Sequence, residues 1–326
     1  MALSSSTRPA EARQIRERER SVFRRPTAYV SQTMRRTTLT ETLEIVHEGG
    51  GPDDGPVVLL LHGWPDDART WKDVAPRLNA AGFRTIAPWL RGFGPTRFRS
   101  PQTFRDGRAE ALAQDAIDLA DALRIERFAV VGHDWGARAA YALAAVIPER
   151  LTALAALSIG YPPRGLFVVP ETLQARAWWY QWLLSVDHGA EAVSRDPKSF
   201  ARFQWETWSP SGWFDPAEFD VTAESFLNPD WVAITVHGYR SRWRETPVDP
   251  RYDAVRARVT ATETLTVPTL MLQGELDGTV LAASTEGKER YFTAGYTRQV
   301  LPGVGHFPSR EAPEAVARAL LAHLGR

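Results

Sequence analysis

Along most of the chain, short apolar runs alternate with longer stretches of helical periodicity. PVVLLL (56–61), RTIAP (84–88), RFAVV (127–131), LTALAALSIG (151–160), TVPTLMLQG (266–274) and TRQVL (297–301) have the length and composition of strands buried in a sheet. Between them, AEALAQDAIDLADAL (109–123) and ARAAYALAAVIPER (137–150) repeat apolar positions at helical spacing, and TTLTETLEIVHEG (37–49) reads as an entry hairpin. Strand alternating with helix predicts an α/β fold with a doubly wound, mostly parallel sheet and right-handed crossovers. The alternation stops after residue 160. Residues 161–258 hold eight of the twelve tryptophans and little strand patterning, which predicts an inserted helical cap between core segments 37–160 and 259–326. Ligands of such sheets bind beyond the carboxyl ends of the strands, the side that a cap would enclose.

Chemistry-bearing residues fall at those strand ends. RFAVV runs into GHDWG (132–136) and then into a helix, so Asp134 occupies the tip of a strand-to-helix turn flanked by Gly132 and Gly136, the spacing of a nucleophile elbow. Serine is the usual occupant of such a turn. A carboxylate is ionised at neutral pH, can attack saturated carbon, and leaves an ester that water can open, whereas serine would leave an inert ether. The turn therefore predicts cleavage at sp3 carbon, either carbon–oxygen in an epoxide or carbon–halogen in a halide. Asp277 follows the run at 266–274 and His306 follows the last strand, giving the chain order nucleophile, acid, histidine. Glu275 is the rival acid, and a helix N-cap is the structural alternative for Asp134. His62 and His133 read as supports of the turns they occupy, and Arg91 as a loop anchor.

HGWP (62–65), RGFG (91–94), GHDWG (132–136) and GHFP (305–308) follow one another at predicted strand ends, and across residues 37–326 the chain resembles the α/β-hydrolase family and, within it, the epoxide hydrolases. The resemblance implies an α/β-hydrolase fold with a triad of Asp134, His306 and Asp277 and an oxyanion hole made by the backbone N–H groups of Trp64 and Trp135. It also implies two cap tyrosines, Tyr180 in AWWYQWLL and Tyr239 in VHGYRSRW, as donors to the oxygen of the opening ring. That oxygen becomes an alkoxide, a poor leaving group in an apolar pocket without a proton. The expected partners are a small, apolar epoxide and water, giving a vicinal diol. A haloalkane or haloacid dehalogenase would use the same elbow and could hold halide on the Trp135 indole. Two departures weaken that reading: Trp64 stands where haloalkane dehalogenases usually show Asn or Glu, and Trp135 where fluoroacetate enzymes usually show Arg. A small-molecule receptor on this fold is the third reading, opposed by the intact triad.

Composition narrows the class further. Basic and acidic residues balance at 39 each, so nothing suggests a nucleic-acid partner. The absence of cysteine excludes disulfides and thiol chemistry and is compatible with a cytoplasmic protein. Seven histidines are scattered without ligand spacing, so neither metal nor cofactor is expected. No apolar run approaches the roughly 18 residues needed to span a bilayer. A homodimer is left open. The first 36 residues carry nine arginines against three glutamates and read as a basic, flexible leader, with a charged helix over 10–23 or a transit peptide as alternatives.

Overall fold

Nine strands make one sheet in a computed structural model that describes residues 34–325. They are β1 (Met34–Leu39), β2 (Leu43–Gly50), β3 (Val57–Leu61), β4 (Arg84–Pro88), β5 (Arg97–Phe98), β6 (Phe128–His133), β7 (Leu151–Leu157), β8 (Thr269–Gly274) and β9 (Tyr296–Leu301). Their spatial order is β1-β2-β4-β3-β6-β7-β8-β9, with β5 beside β2. Pairing is antiparallel from β1 through β2 to β4 and parallel from β4 onward. β6 and β8 are buried at every position, which explains why their sequences are apolar runs rather than alternations.

The helices are α1 (Ala75–Ala80), α2 (Ala109–Ala122), α3 (Trp135–Val146), α4 (Thr172–Ala177), α5 (Trp179–Ser185), α6 (Asp187–Arg195), α7 (Pro197–Trp208), α8 (Pro216–Ala223), α9 (Trp231–Trp243), α10 (Asp253–Ala261), α11 (Pro308–Glu311) and α12 (Pro313–Leu324). The alanines of α3 are buried against β6 and β7, where small side chains let helix and sheet approach closely. On α2, Asp115 is buried because Arg91 grips it through two 2.6 Å hydrogen bonds. No helix among the described residues is long and apolar enough to cross a membrane.

Two boundaries differ from the sequence expectation. β1 starts at Met34, inside the stretch expected to be leader, because residues 34–39 pair in register with β2. The rest of that stretch, with the charged helix and transit-peptide readings, lies outside the described residues. α10 runs across the expected cap boundary at 258/259, and its buried Val255 and Val259 face the core helices α2 and α3. After β9 the chain forms two helices in succession. Pro313 cannot donate to the turn before it and drives Ala312 out of the helical region, to φ −141°, so α11 ends and α12 begins.

Candidate active site

Asp134 sits between β6 and α3 with φ +48° and ψ −110°, a backbone conformation that L-residues rarely adopt and that stores roughly 1–3 kcal/mol of strain. The flanking glycines are required by contact. A Cβ at Gly132 would lie 2.2 Å from the Gly136 carbonyl oxygen, and one at Gly136 would lie 2.2 Å from that of Leu61. Asp134 makes no side-chain cap to α3. Its Oδ1 instead accepts the Trp64 backbone N–H at 3.0 Å, across the sheet from the turn after β3. The Trp64–Pro65 bond in that turn is cis. Trp135 is the first residue of α3, so its N–H is one of the amides a helix start leaves without an intrahelical partner.

His306 and Asp277 arrive from the ends of β9 and β8. The imidazole is fully buried; its Nδ1–H donates to Asp277 Oδ2 at 2.8 Å, and Nε2 lies 3.8 Å from Asp134 Oδ2. Asp277 is itself fixed, with Oδ1 accepting the N–H groups of Thr279 at 2.9 Å and Val280 at 2.8 Å. Glu275 is turned elsewhere, accepting the Gly303 N–H at 2.9 Å. Trp208 was not singled out from sequence, yet its carbonyl accepts the His306 N–H at 3.2 Å and its ring meets the imidazole edge-to-face at 4.9 Å. The position of Trp208 inside an aromatic-rich segment gave no signal to separate it from its neighbours.

The two tyrosines come from the helical segment between β7 and β8. Tyr180 on α5 and Tyr239 on α9 are both buried, meeting edge-to-face at 5.2 Å. Trp64 stacks on Tyr180 at 5.7 Å and meets Tyr239 edge-on at 5.1 Å, while its indole N–H is spent on Thr235 Oγ1 at 3.0 Å. The Tyr180 hydroxyl accepts from Gln181 Nε2 at 3.1 Å and Thr279 Oγ1 at 3.3 Å, so both incoming bonds leave its own proton to be given. The Tyr239 hydroxyl is buried beside the Trp135 indole and makes no well-formed hydrogen bond among the described residues. Burial, with the Asp134 carboxylate nearby, pushes both phenols above their ordinary pKa of 10.

Charge is distributed unevenly among the histidines. Burial opposes a charged His306, but the Asp277 charge and hydrogen bond, with Asp134 behind them, outweigh it and hold the pKa above 6.5. Burial dominates at His133 and lowers its pKa to about 4. His133 Nε2 donates to the His306 carbonyl at 2.7 Å, and His62 bridges the Gly63 carbonyl at 2.9 Å and the Leu90 N–H at 3.0 Å. Arg91 bonds Asp115, the Asp106 carbonyl and the Tyr252 hydroxyl. All three tie segments together and are spent on protein partners. A buried carboxylate, an imidazole–carboxylate pair and two phenols therefore share one apolar site, an arrangement suited to attack at carbon followed by hydrolysis of the ester formed.

A family model described as alpha/beta hydrolase fold matches residues 56–313. Epoxide hydrolase B of Mycobacterium tuberculosis is 25% identical over 345 aligned positions, covering 84% of this chain and 93% of that protein. A fluoroacetate dehalogenase of a Burkholderia species is 30% identical over 193 positions, covering 57% of this chain and 62% of its own. Among solved structures, a candidate epoxide hydrolase from Klebsiella pneumoniae aligns with a TM-score of 0.84 at 36% identity, covering 90% of this chain and 97% of that one.

Proposed function

Because this chain belongs to the α/β-hydrolase fold family and its relatives there include epoxide hydrolases, we propose that it opens an epoxide to a vicinal diol through an ester on Asp134. The observation that carries the reading is the pair of mutually packed phenols, Tyr180 and Tyr239, in the same buried cluster as the elbow. Asp134 Oδ2 attacks a ring carbon, the carbon–oxygen bond breaks toward oxygen, and a phenol gives that oxygen its proton. A phenol whose pKa is raised by burial stays protonated at neutral pH, and an alkoxide is basic enough to take its proton.

Water then opens the ester. His306, oriented by Asp277, takes a proton from the water that attacks Asp134 Cγ. Negative charge collects on Oδ1, the atom that the Trp64 N–H already meets, with the Trp135 N–H as second donor. Collapse of this intermediate breaks the bond to the alkyl oxygen, which takes the proton back from His306; the carboxylic acid left on Asp134 loses its proton, which makes good the one the phenol gave in the first step, so that carboxylate and phenol are both restored. Esterification also removes the Asp134 charge that favours protonated His306, so the first step itself prepares the base for the second.

One observation keeps a dehalogenase as the second reading. The Trp135 indole N–H is buried beside the Tyr239 hydroxyl and makes no well-formed hydrogen bond among the described residues, so it could turn to hold a halide. Matched epoxide and bromoalkane substrates discriminate the two: diol without bromide is expected, and bromide without diol would replace the epoxide reading. The ester is tested by a single turnover in oxygen-18 water. Unlabelled diol with label on the peptide bearing Asp134 is expected; labelled diol with unlabelled Asp134 would make the aspartate a base acting on water.

A further inference from the structure

Helix α3 carries a second charged group one turn after Asp134. Arg138 is four residues on, so the two share a helix face, and the lean of helical side chains toward the N-terminus aims the guanidinium back at the elbow. Its Nε is buried, and the side chain makes no hydrogen bond or ion pair among the described residues. Arg242, in the last turn of α9, packs on the same Phe167 ring: the two guanidinium groups lie 4.6 and 5.1 Å from that ring's centre. Arg242 also covers the Tyr239 ring at 4.4 Å, and its one hydrogen bond among the described residues is a 3.4 Å contact to Gln181 Oε1.

Both arginines line a cavity of about 120 Å³ whose wall includes Trp135 and Gly238, the chain neighbours of Asp134 and Tyr239. The other charges in the wall do not neutralise them. Arg108 is itself a cation and is paired with Asp106 at 3.5 Å, and Glu110 makes no ion pair with Arg138 or Arg242 among the described residues. Burial and the neighbouring Arg242 lower the Arg138 pKa to about 9, which still leaves a cation at neutral pH. Two uncompensated guanidinium groups in a small, partly aromatic cavity are matched to a planar anion, which each can meet with a fork of N–H donors.

We propose that this cavity is a carboxylate subsite, and that the substrate is an epoxide bearing a carboxylate which Arg138 and Arg242 hold while Asp134 attacks the ring. The substrate is then apolar around the reacting carbons and anionic at one end, not apolar throughout. The proposal rests on the epoxide reading for the identity of the reacting group and on the arginine pair alone for the anion.

The full-length chain is tested with two matched pairs. Cinnamate against cinnamamide reads binding without chemistry, by calorimetry; 3-phenylglycidate against its amide reads turnover. Cinnamate is expected to bind at least about tenfold more tightly than the amide, the size of one charge-assisted contact. Arg138→Gln and Arg242→Gln should each move that ratio toward one, Arg138→Lys should restore part of it, and the glycidate preference should follow through KM. A ratio near one in the unmodified chain, which requires no variant to fold, overturns the subsite, as does a preference that neither substitution reduces. Diol from both epoxides without a carboxylate preference removes the subsite and leaves the enzyme. Cinnamate preference with no diol from either epoxide removes the epoxide reading and leaves the subsite.

Discussion

Asp134 helps hold the charge on His306, and the 3.8 Å between Oδ2 and Nε2 makes that coupling measurable. The raised His306 pKa rests on two carboxylates, one of which the proposed chemistry neutralises in its first step. Asp134→Asn removes the same charge without substrate, so NMR titration of the His306 ring should give a lower pKa in that variant than in the unmodified chain. An unchanged pKa would mean that Asp277 alone sets the imidazole, and that ester formation does not tune the base. The elbow makes a second residue-level prediction. A methyl group at Gly136 would meet the Leu61 carbonyl at 2.2 Å, and neither backbone can yield without opening the sheet. Gly136→Ala should therefore cost on the order of 2–4 kcal/mol in urea unfolding, within the range of strain and overpacking defects. A loss under about 0.5 kcal/mol, the scale of an ordinary surface substitution, would show that the turn relaxes.

The small helix α11 shows how elements rather than residues position the base. Glu311 at its end accepts the N–H groups of Gly305 at 2.7 Å and Phe307 at 2.8 Å, bracketing His306, and also the Ser209 hydroxyl at 2.7 Å. Its neighbour Arg310 reaches back to Asp66, just after the Trp64 turn, with a 2.6 Å contact. One turn of helix thus ties the His306 loop to the Trp64 turn. Glu311→Gln removes the charge and one acceptor, so ester hydrolysis should slow by about tenfold or more with KM little changed, since misplacing a reacting group costs rate before it costs binding. Equal changes in kcat and KM would instead assign Glu311 to substrate binding. The strand ends carrying Asp134, Asp277 and His306 were legible because parallel strands are apolar runs and glycines mark the forced turn. The lack of a partner for Arg138 was not legible at all: it depends on which acids fold near it, and an arginine in a helix looks the same in sequence whether paired or alone.

At the scale of the whole molecule, histidine burial governs the response to acid. His47 and His133 have folded pKa values of about 4, lowered first by burial and then by nearby positive charge. Each binds fewer protons folded than unfolded, so their stability contribution is complete above 6.5 and is lost as pH falls toward 4. For the fully buried His133 this amounts to about 3 kcal/mol. His306 runs the other way: its raised pKa adds stability that is present below 6.5 and lost as pH rises through its folded value. His62 and His237 are lowered in the same direction by burial, so four groups oppose one; the urea midpoint should fall between pH 7 and pH 4.5, and His47→Gln should narrow that gap. A gap unchanged in the variant would acquit His47. The sheet also has a consequence for inheritance. The chain leaves it after Leu157 and returns at Thr269, and this one excursion carries Tyr180, Tyr239 and Arg242, while Asp134, Asp277, His306 and the Trp64 amide belong to the flanking strands. On the proposed reading, the proton donors and one of the two carboxylate-binding arginines are encoded in a single contiguous cassette, whereas attack, hydrolysis and the other arginine, Arg138, are encoded outside it. Recombination at the two joints would give a descendant with a new substrate and an unaltered engine.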